Sequence, residues 1–125
     1  MDTLPDVHIK AVHRVTDDGM HNAFTDLIRF QGRYYLTFRS CPDGHMIFPS
    51  SSIRVLVSND GVSNWQQVCS FSVPGRDVRD PHFLDFGDRL FVYSGTWLCD
   101  PDDATRYDMN DHLGYGVATA DGVHW

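Results

Sequence analysis

Residues Ser58–Trp65 read SNDGVSNW and residues Thr119–Trp125 read TADGVHW, so one short phrase occurs twice in the chain. In each copy an Asp-Gly pair follows a hydroxyl residue and precedes a tryptophan. Asp-Gly pairs favour tight turns, because aspartate bonds nearby backbone N–H groups and glycine accepts a positive φ. The two phrases therefore predict two equivalent turns, each closed by a large apolar ring.

The stretches before the two turns are also similar, and together they define a repeat. Aligning Phe30 with Phe86 gives an offset of 86 − 30 = 56, and aligning Asp60 with Asp121 gives 121 − 60 = 61. The second unit therefore carries 61 − 56 = 5 additional residues in its middle loop. Such a repeat decides the architecture of the whole chain, because each unit packs on its neighbours.

Each unit has the marks of short strands joined by tight turns. In the first unit the apolar runs are LIRF, YYLTF, IRVLV and WQQVCSFSV. Apolar groups on both faces of such strands are typical of sheets packed between other sheets. Four antiparallel strands per unit, repeated along the chain, is the blade pattern of a β-propeller.

We therefore predict an all-β fold in which residues 1–125 form a partial propeller domain of about two four-stranded antiparallel blades. Blade one spans about 22–74, and blade two spans about 79–125 and lacks its fourth strand. Because known propellers close with about four to eight blades, we expect a fragment of a longer, six-bladed parent, or else a ring assembled from several copies. The segment VHIKAVHRV, residues 7–15, is either a lone strand or a flexible leader.

The repeated phrase resembles the Asp box of sialidase-like propellers, S-x-D-x-G-x-T-W, which lies on the turn between the third and fourth strands of a blade. The residues that carry the resemblance are Ser58, Asp60, Gly61 and Trp65 in the first copy, and Asp121, Gly122 and Trp125 in the second. Gly61 comes one position early, and Asn64 stands where threonine is usual. The similarity covers roughly residues 20–125. The resemblance implies that these turns have a structural role. It also implies that the protein is a glycoside hydrolase of the sialidase superfamily, which hydrolyses a terminal, possibly acidic, sugar.

In such propellers ligands bind at the axis, so the resemblance places candidate residues where the first strand of each unit begins. Arg79-Asp80-Pro81 also resembles the Arg-Asp-Pro motif of five-bladed glycosidases acting on fructosides, in which the aspartate stabilises an oxocarbenium-like transition state. We predict that Asp80 and Asp26 are the catalytic carboxylates. The predicted substrate-binding residues are Arg79, Arg39, His45 and His82.

Plainer interpretations stand beside these predictions. Arg79 and Asp80 also fit a structural ion pair between blades, Asp26 fits a contact between blades, and His45 fits a solvated loop. Trp97 and Tyr107 either stack on a sugar ring or simply pack. The alternative function is a non-catalytic propeller that binds glycans or proteins.

The composition and charge of the chain narrow the possible classes of function. The chain has 125 residues and a formal net charge of −7, which argues against a nucleic-acid partner. No apolar run approaches the length of a membrane span, and the first residues lack the pattern of a signal peptide. The three separated cysteines favour free thiols in a reducing compartment, so the default expectation is a cytoplasmic protein. Because phosphate-loop and zinc motifs are missing from the sequence, we expect neither a cofactor nor a metal.

Overall fold

The computed structural model describes residues 5–103 and 106–125, and the regular secondary structure in them is entirely β. Seven strands follow one another along the chain. They are β1 His21–Phe30, β2 Arg33–Cys41, β3 Ser52–Ser58, β4 Gln66–Phe71, β5 Arg76–Phe86, β6 Arg89–Cys99 and β7 Tyr107–Thr119. Within the described residues there is no helix of the length and apolar character needed to cross a membrane.

The strands form two antiparallel sheets in which each strand pairs with its neighbours in sequence. Sheet one contains β1–β4 in the order β1-β2-β3-β4, and sheet two contains β5-β6-β7. The prediction of an all-β chain made of sequential antiparallel strands is confirmed. The strand considered for residues 7–15 is not formed, and its apolar side chains are exposed.

The core lies between the two sheets, where β1, β2 and β3 approach β5. Sheet one contributes alternate residues of its strands, and sheet two contributes the facing set. The buried apolar residues are Phe30, Tyr35, Ile53, Val55 and Val57 from sheet one, and Val78, Leu90 and Val92 from sheet two. Because one face of each sheet is buried here, a register slip of one residue would turn this whole set towards water.

The two Asp-Gly phrases form turns with the same hydrogen bonds. In the first, Asp60 Oδ1 accepts the N–H groups of Val62 and Ser63, and Ser58 Oγ accepts that of Gly61. In the second, Asp121 Oδ1 accepts the N–H groups of Val123 and His124, and Thr119 Oγ1 accepts that of Gly122. The prediction that each aspartate ties its own turn together is confirmed.

The second turn also docks on sheet one. Gln31 Nε2 donates to the Ala120 carbonyl at 2.9 Å, and Arg33 Nη2 donates to the Asp121 carbonyl at 3.1 Å. The Trp125 ring lies edge-on to Tyr35, with ring centroids 6.4 Å apart. These contacts fasten the far end of sheet two to the first sheet and bury the Tyr35 ring.

The sheets have two distinct ends. One end carries both Asp-Gly turns, after β3 and after β7. At the other end β1 and β5 begin and the β2–β3 loop, residues 42–51, crosses over, because Ser40 pairs with Ser52 and Asp77 pairs with Trp97. We call this second end the upper rim. The repeated turns therefore lie at the opposite end of the sheets from Arg39 and His45, whereas Asp26 and His82 lie near the middle of β1 and β5.

Replacing Gly122 by alanine should weaken the docking of the second turn. Gly122 has φ +73°, and an added Cβ would collide with the Tyr35 hydroxyl. The positive φ costs about 1–2 kcal/mol, and crowding in a packed site costs about 1–3 kcal/mol more. We expect urea denaturation to show a loss of roughly 2–5 kcal/mol in the free energy of unfolding.

Gly87→Ala is the matched control, because Gly87 has φ +59° but open space around it. The free energy of unfolding of this variant should fall only by the conformational cost, about 1–2 kcal/mol. Equal losses for the two variants would show that the turn does not dock on Tyr35.

The turn carboxylates should titrate in acid below their ordinary pKa of 3.8. The Ser63 backbone N–H and hydroxyl, followed by the Val62 N–H, lower the pKa of Asp60. A carboxyl whose pKa is depressed by folding stabilises the fold above its unfolded pKa, and this contribution is lost as the pH falls through the folded pKa. Carboxyl-carbon NMR titration of the folded chain measures both values.

Ser63→Ala supplies the internal comparison for that titration. It removes the hydroxyl that donates to Asp60 Oδ2 at 2.7 Å, so the pKa of Asp60 should rise. The pKa of Asp121, in the other turn, should stay where it was. A pKa of Asp60 that does not move would mean that the Ser63 hydroxyl does not hold the carboxylate.

Candidate functional site

A buried carboxylate, Asp77, organises the upper rim. Its side chain is fully enclosed near the start of β5. Asp77 Oδ1 accepts Arg39 Nη2 at 2.6 Å, and Asp77 Oδ2 accepts Arg79 Nε at 2.5 Å. The Phe48 N–H points at Oδ1 from 3.3 Å. One carboxylate thus joins sheet one, the β2–β3 loop and sheet two.

Arg39 is wholly buried, and its N–H groups donate to other residues of the protein. Besides its bonds to Asp77, it donates to the carbonyls of Gly44 and Met46 at 3.0 and 2.9 Å. Since a guanidinium has five N–H groups, four of them are used. Direct contact between Arg39 and a substrate does not fit this burial. Its position makes it a support for the loop over the rim.

Arg79 lies at the surface of the same cluster. Its Nη2 donates to the carbonyls of His45 and Met46 at 3.3 and 3.2 Å. Its guanidinium carbon is 5.7 Å from the Phe24 ring centroid and 5.4 Å from that of Trp97. Both N–H groups of Nη1 lack a partner among the described residues. Arg79 is therefore held in place, and its Nη1 atom keeps two N–H groups available for hydrogen bonds.

Asp80 follows Arg79 at a bulge in β5. The pairing of β5 with β6 shifts between Arg79 and His82, and Asp80 has φ +52°. Aspartate tolerates this left-handed conformation better than most residues, although it still costs free energy. The Asp80 side chain is exposed and makes no hydrogen bond to any residue in the described ranges. Asp80 is thus an exposed carboxylate at a strained backbone position.

The same bulge occurs in sheet one, at the position that the repeat predicts. The pairing of β1 with β2 shifts between Ala23 and Asp26, and Phe24 has φ +58°. Phe24 precedes Asp80 by 80 − 24 = 56 residues, the offset of the repeat. The counterpart of Asp80 is therefore Phe24 and not Asp26.

Asp26 makes a bridge between the sheets. Its Oδ2 accepts the Phe83 N–H at 2.9 Å and lies 3.6 Å from His82 Nδ1. Of the structural interpretations of Asp26, a contact between the two repeat units is thus formed, as a contact between the two sheets. His82 is exposed, and its ring centroid is 5.8 Å from that of Tyr93. Asp26 and His82 lie together, on the contact between the two sheets.

His45 belongs to the loop that Arg39 and Arg79 hold. Its ring centroid is 5.0 Å from that of His21 and 5.6 Å from that of Phe24. The His21 Nδ1 atom is buried without a hydrogen-bond partner. The two imidazoles and the Phe24 ring extend the rim cluster towards the start of β1.

Aromatic rings flank Arg79 on the side of sheet two. Trp97 and Tyr107 stack with centroids 5.0 Å apart and planes inclined by 22°. Beside Tyr107 lies a cleft of about 350 Å³, a volume at the lower end of ligand pockets. Residues 98–101 and 106–108 line it. Of the two interpretations of Trp97 and Tyr107, packing against each other is realised, and it leaves Tyr107 partly exposed at the cleft.

The structure gathers most of the predicted site residues. Arg39, Arg79 and His45 meet through Asp77 and the loop carbonyls, Asp80 is adjacent, and Asp26 and His82 form a second pair. Sequence reasoning missed Asp77 and Phe24. The doubled pattern in GRDVRD, residues 75–80, was a signal for Asp77. Phe24 carried no signal, because only the repeat register reveals it.

Comparison with known proteins gives no relative from which roles could be transferred. No protein-family model, curated protein or solved structure matches the chain. Within residues 5–103 and 106–125, no group of three or more histidine, cysteine or acidic side chains is arranged to hold a metal ion. All three cysteines are free thiols, and burial raises the pKa of Cys69 and Cys99.

Asp77→Asn should destabilise the chain strongly. The change keeps the shape but leaves two guanidinium groups around a neutral side chain. Removing one partner of a buried ion pair costs about 3–5 kcal/mol, because the remaining charge is left without compensation. We expect a loss of that size in the free energy of unfolding by urea denaturation.

Asp17→Asn is the comparison for an exposed pair. Asp17 bonds Arg14 at 2.6 Å, but each side chain is 74% exposed. Surface pairs contribute little, so the change should stay within about 0.5 kcal/mol. If Asp77→Asn fell in the same narrow range, Asp77 would not be the centre of the rim.

Proposed function

We propose that the two sheets are neighbouring blades of a sialidase-like β-propeller and that the protein hydrolyses the glycosidic bond of a terminal sugar at the upper rim. The observation that carries the proposal is the exposure and backbone strain of Asp80. Its exposed carboxylate belongs to a strained residue at a bulge, directly after Arg79 in the chain. Strained backbone positions concentrate at functional sites, where the surrounding structure holds them in place.

The arrangement of the sheets supports the propeller part of the proposal. Each sheet is a sequential antiparallel meander, and the two pack face to face with β5 against sheet one. The Asp-Gly turns lie at one end and the candidate site at the other. The remaining blades belong to the same longer chain in this proposal. They add further residues around the axis.

Glycoside hydrolysis needs carboxylates around the anomeric carbon. One carboxylic acid gives its proton to the glycosidic oxygen as that bond breaks, and a carboxylate either attacks the sugar or takes a proton from water. Asp80 is free for either role. Asp26, held by the Phe83 N–H, stays the second candidate because its carboxylate remains partly exposed.

In this proposal Arg79 and the residues around it bind the sugar. An unpartnered N–H group on Nη1 fits an oxygen of a carboxylate or sulfate on the sugar, as a charge-assisted hydrogen bond. His82, exposed beside Tyr93, and His45, on the loop, are the remaining substrate contacts in this proposal. Arg39 acts behind them by holding the loop. The ligand is a carbohydrate, and neither nucleic acid nor membrane enters the proposal.

The stacked rings favour a second candidate function, a propeller that binds glycans without cleaving them. Flat aromatic surfaces next to polar groups bind sugars without any need for a catalytic acid. Trp97, Tyr107 and Arg79 make such a surface at the rim. The two functions differ in what Asp80 contributes, so a substitution there distinguishes them.

Asp80→Asn should abolish turnover and preserve binding. General acid–base groups contribute about 10²–10⁴-fold to the rate, so release of the aglycone should fall by at least about a hundredfold. The assay is release of 4-methylumbelliferone from a panel of neutral and acidic sugar glycosides. Binding of the cleaved sugars is measured by calorimetry.

Asp85→Asn is the matched control, since Asp85 is another exposed carboxylate on β5, near its far end. It should leave release unchanged. Turnover and binding that both persist in Asp80→Asn would give Asp80 a structural role. Sugar binding without any release, in both wild type and variant, would favour the non-catalytic propeller.

A further inference from the structure

The sequence contains four Asp-Gly pairs, and an aspartate followed by glycine is chemically the most prone to isomerise. The pairs are Asp18-Gly19, Asp43-Gly44, Asp60-Gly61 and Asp121-Gly122. Glycine has no side chain to hinder its own main-chain nitrogen when that atom attacks the carboxyl carbon of the preceding aspartate. The surroundings of each pair therefore decide whether the reaction proceeds in the folded chain.

The reaction starts from the acid form of the aspartate and needs only water. The glycine nitrogen bonds to Cγ, the C–OH bond of the carboxylic acid breaks, and the OH group leaves with the N–H proton as water. The product is a five-membered succinimide ring. Water then adds and breaks one of the two C–N bonds of that ring. When the bond to the original main-chain carbonyl carbon breaks, the residue becomes isoaspartate, and the main chain runs through its Cβ and Cγ atoms.

Three of the four aspartates are held as anions through both carboxylate oxygens. One oxygen of each accepts the main-chain N–H group two residues further on, from Met20, Val62 and Val123. The other oxygen bonds a side chain, of Arg54, Ser63 and His124. The pKa of each of the three is lowered, and the largest cause is a hydrogen bond, from Asn22, Ser63 and His124 respectively. Such bonds favour the charged form and so deplete the reactive acid.

Asp43 has different surroundings. It is exposed on the β2–β3 loop, and its Oδ2 atom accepts the Ser50 hydroxyl at 2.5 Å. Within residues 5–103 and 106–125, neither a main-chain N–H group nor a cationic side chain bonds this carboxylate. The main-chain hydrogen bond that the other three aspartates share is therefore absent at Asp43.

The nitrogen of Gly44 is also placed to react. Its N–H group has no hydrogen-bond partner in the part of the chain that the structure describes. In the two repeated turns, by contrast, the hydroxyls of Ser58 and Thr119 accept the glycine N–H groups. A Cβ atom added to Gly44 would meet no atom within 4 Å, so a succinimide ring has room to form there. The glycines of the repeated turns lie against tyrosine side chains.

We infer that Asp43-Gly44 is the pair at which the folded chain converts aspartate spontaneously to isoaspartate, and that the conversion releases the loop over the upper rim. Isoaspartate adds one atom to the main chain and turns the former carbonyl group of Asp43 into a carboxylate. The inference is independent of glycoside hydrolysis, because it rests only on the surroundings of the Asp-Gly pairs.

The added atom lies next to the carbonyl groups that hold the loop. Gly44 and Met46 donate their carbonyl oxygens to the buried Arg39 guanidinium as acceptors, at 3.0 and 2.9 Å. Arg79 donates to the carbonyls of His45 and Met46. A longer main chain moves these acceptors, and a buried donor that loses its acceptor costs free energy. The converted chain is therefore less stable than the original one.

The test measures isoaspartate at all four pairs in one incubation. The chain is kept warm at neutral pH, once folded and once unfolded in guanidinium chloride. Trypsin then places the four pairs on separate peptides, residues 15–29, 40–54, 55–76 and 107–125. Electron-transfer fragmentation identifies isoaspartate, because it breaks the Cα–Cβ bond that has become part of the main chain. The unfolded chain gives the intrinsic rate of each pair, by which its rate in the folded chain is divided.

In the folded chain, this ratio should be highest for peptide 40–54. Near neutral pH the acid form of a carboxyl falls about tenfold for each unit by which its pKa is lowered, so we expect a ratio at least about tenfold above those of the other three peptides. Asp43→Glu is the matched variant. It keeps the negative charge, but its ring would have six members and closes much more slowly.

Stability of the incubated chains tests the effect on the loop. The urea midpoint of wild type should fall as the isoaspartate fraction in peptide 40–54 rises, whereas that of Asp43→Glu should stay constant. Circular dichroism before incubation checks that the variant has the β signal of wild type.

Three results would overturn the inference. One is an equal ratio for all four pairs in the folded chain. Another is a higher ratio for any other peptide than for peptide 40–54. The third is a urea midpoint of wild type that does not move although Asp43 has been converted, since the loop would then not depend on this peptide bond.

Discussion

A single buried carboxylate holds together the parts on which the candidate site depends. Asp77 accepts hydrogen bonds from Arg39 of sheet one and Arg79 of sheet two, and it faces the Phe48 N–H of the intervening loop. In this low-dielectric setting the ion pairs are strong only because the charges are enclosed together. The loop over the rim, the orientation of Arg79 and the contact between sheets therefore change together when Asp77 changes.

The two ends of the sheets differ in how their polar groups are used. At the turn end, each aspartate accepts backbone N–H groups of its own turn, and a tryptophan fills the space beside it with its indole N–H buried and unpaired. At the upper rim, polar groups are left over: two N–H groups of Arg79, the Asp80 carboxylate and the His21 ring.

Much of the fold could be predicted from the sequence, because strand alternation and Asp-Gly turns are local signals. The apolar runs around Tyr35 and Val55 gave the strands, and the repeated phrase gave the turns and their hydrogen bonds. The candidate site was harder to predict from the sequence. Asp26 was paired with Asp80 from its place in the chain, whereas the bulges put Phe24 at that register. Burial of Arg39 depends on contacts between distant segments, and these leave no periodic signal.

The paired bulges have a consequence for how the rim can change over time. Phe24 and Asp80 adopt almost the same backbone conformation, with φ +58° and +52°, yet one is an apolar ring and the other a charge. The scaffold thus holds the conformation whatever side chain occupies it. Each repeat holds one such position, so a substitution of Phe24 or Asp80 would change the surface of the upper rim while the backbone of the sheet stays as it is.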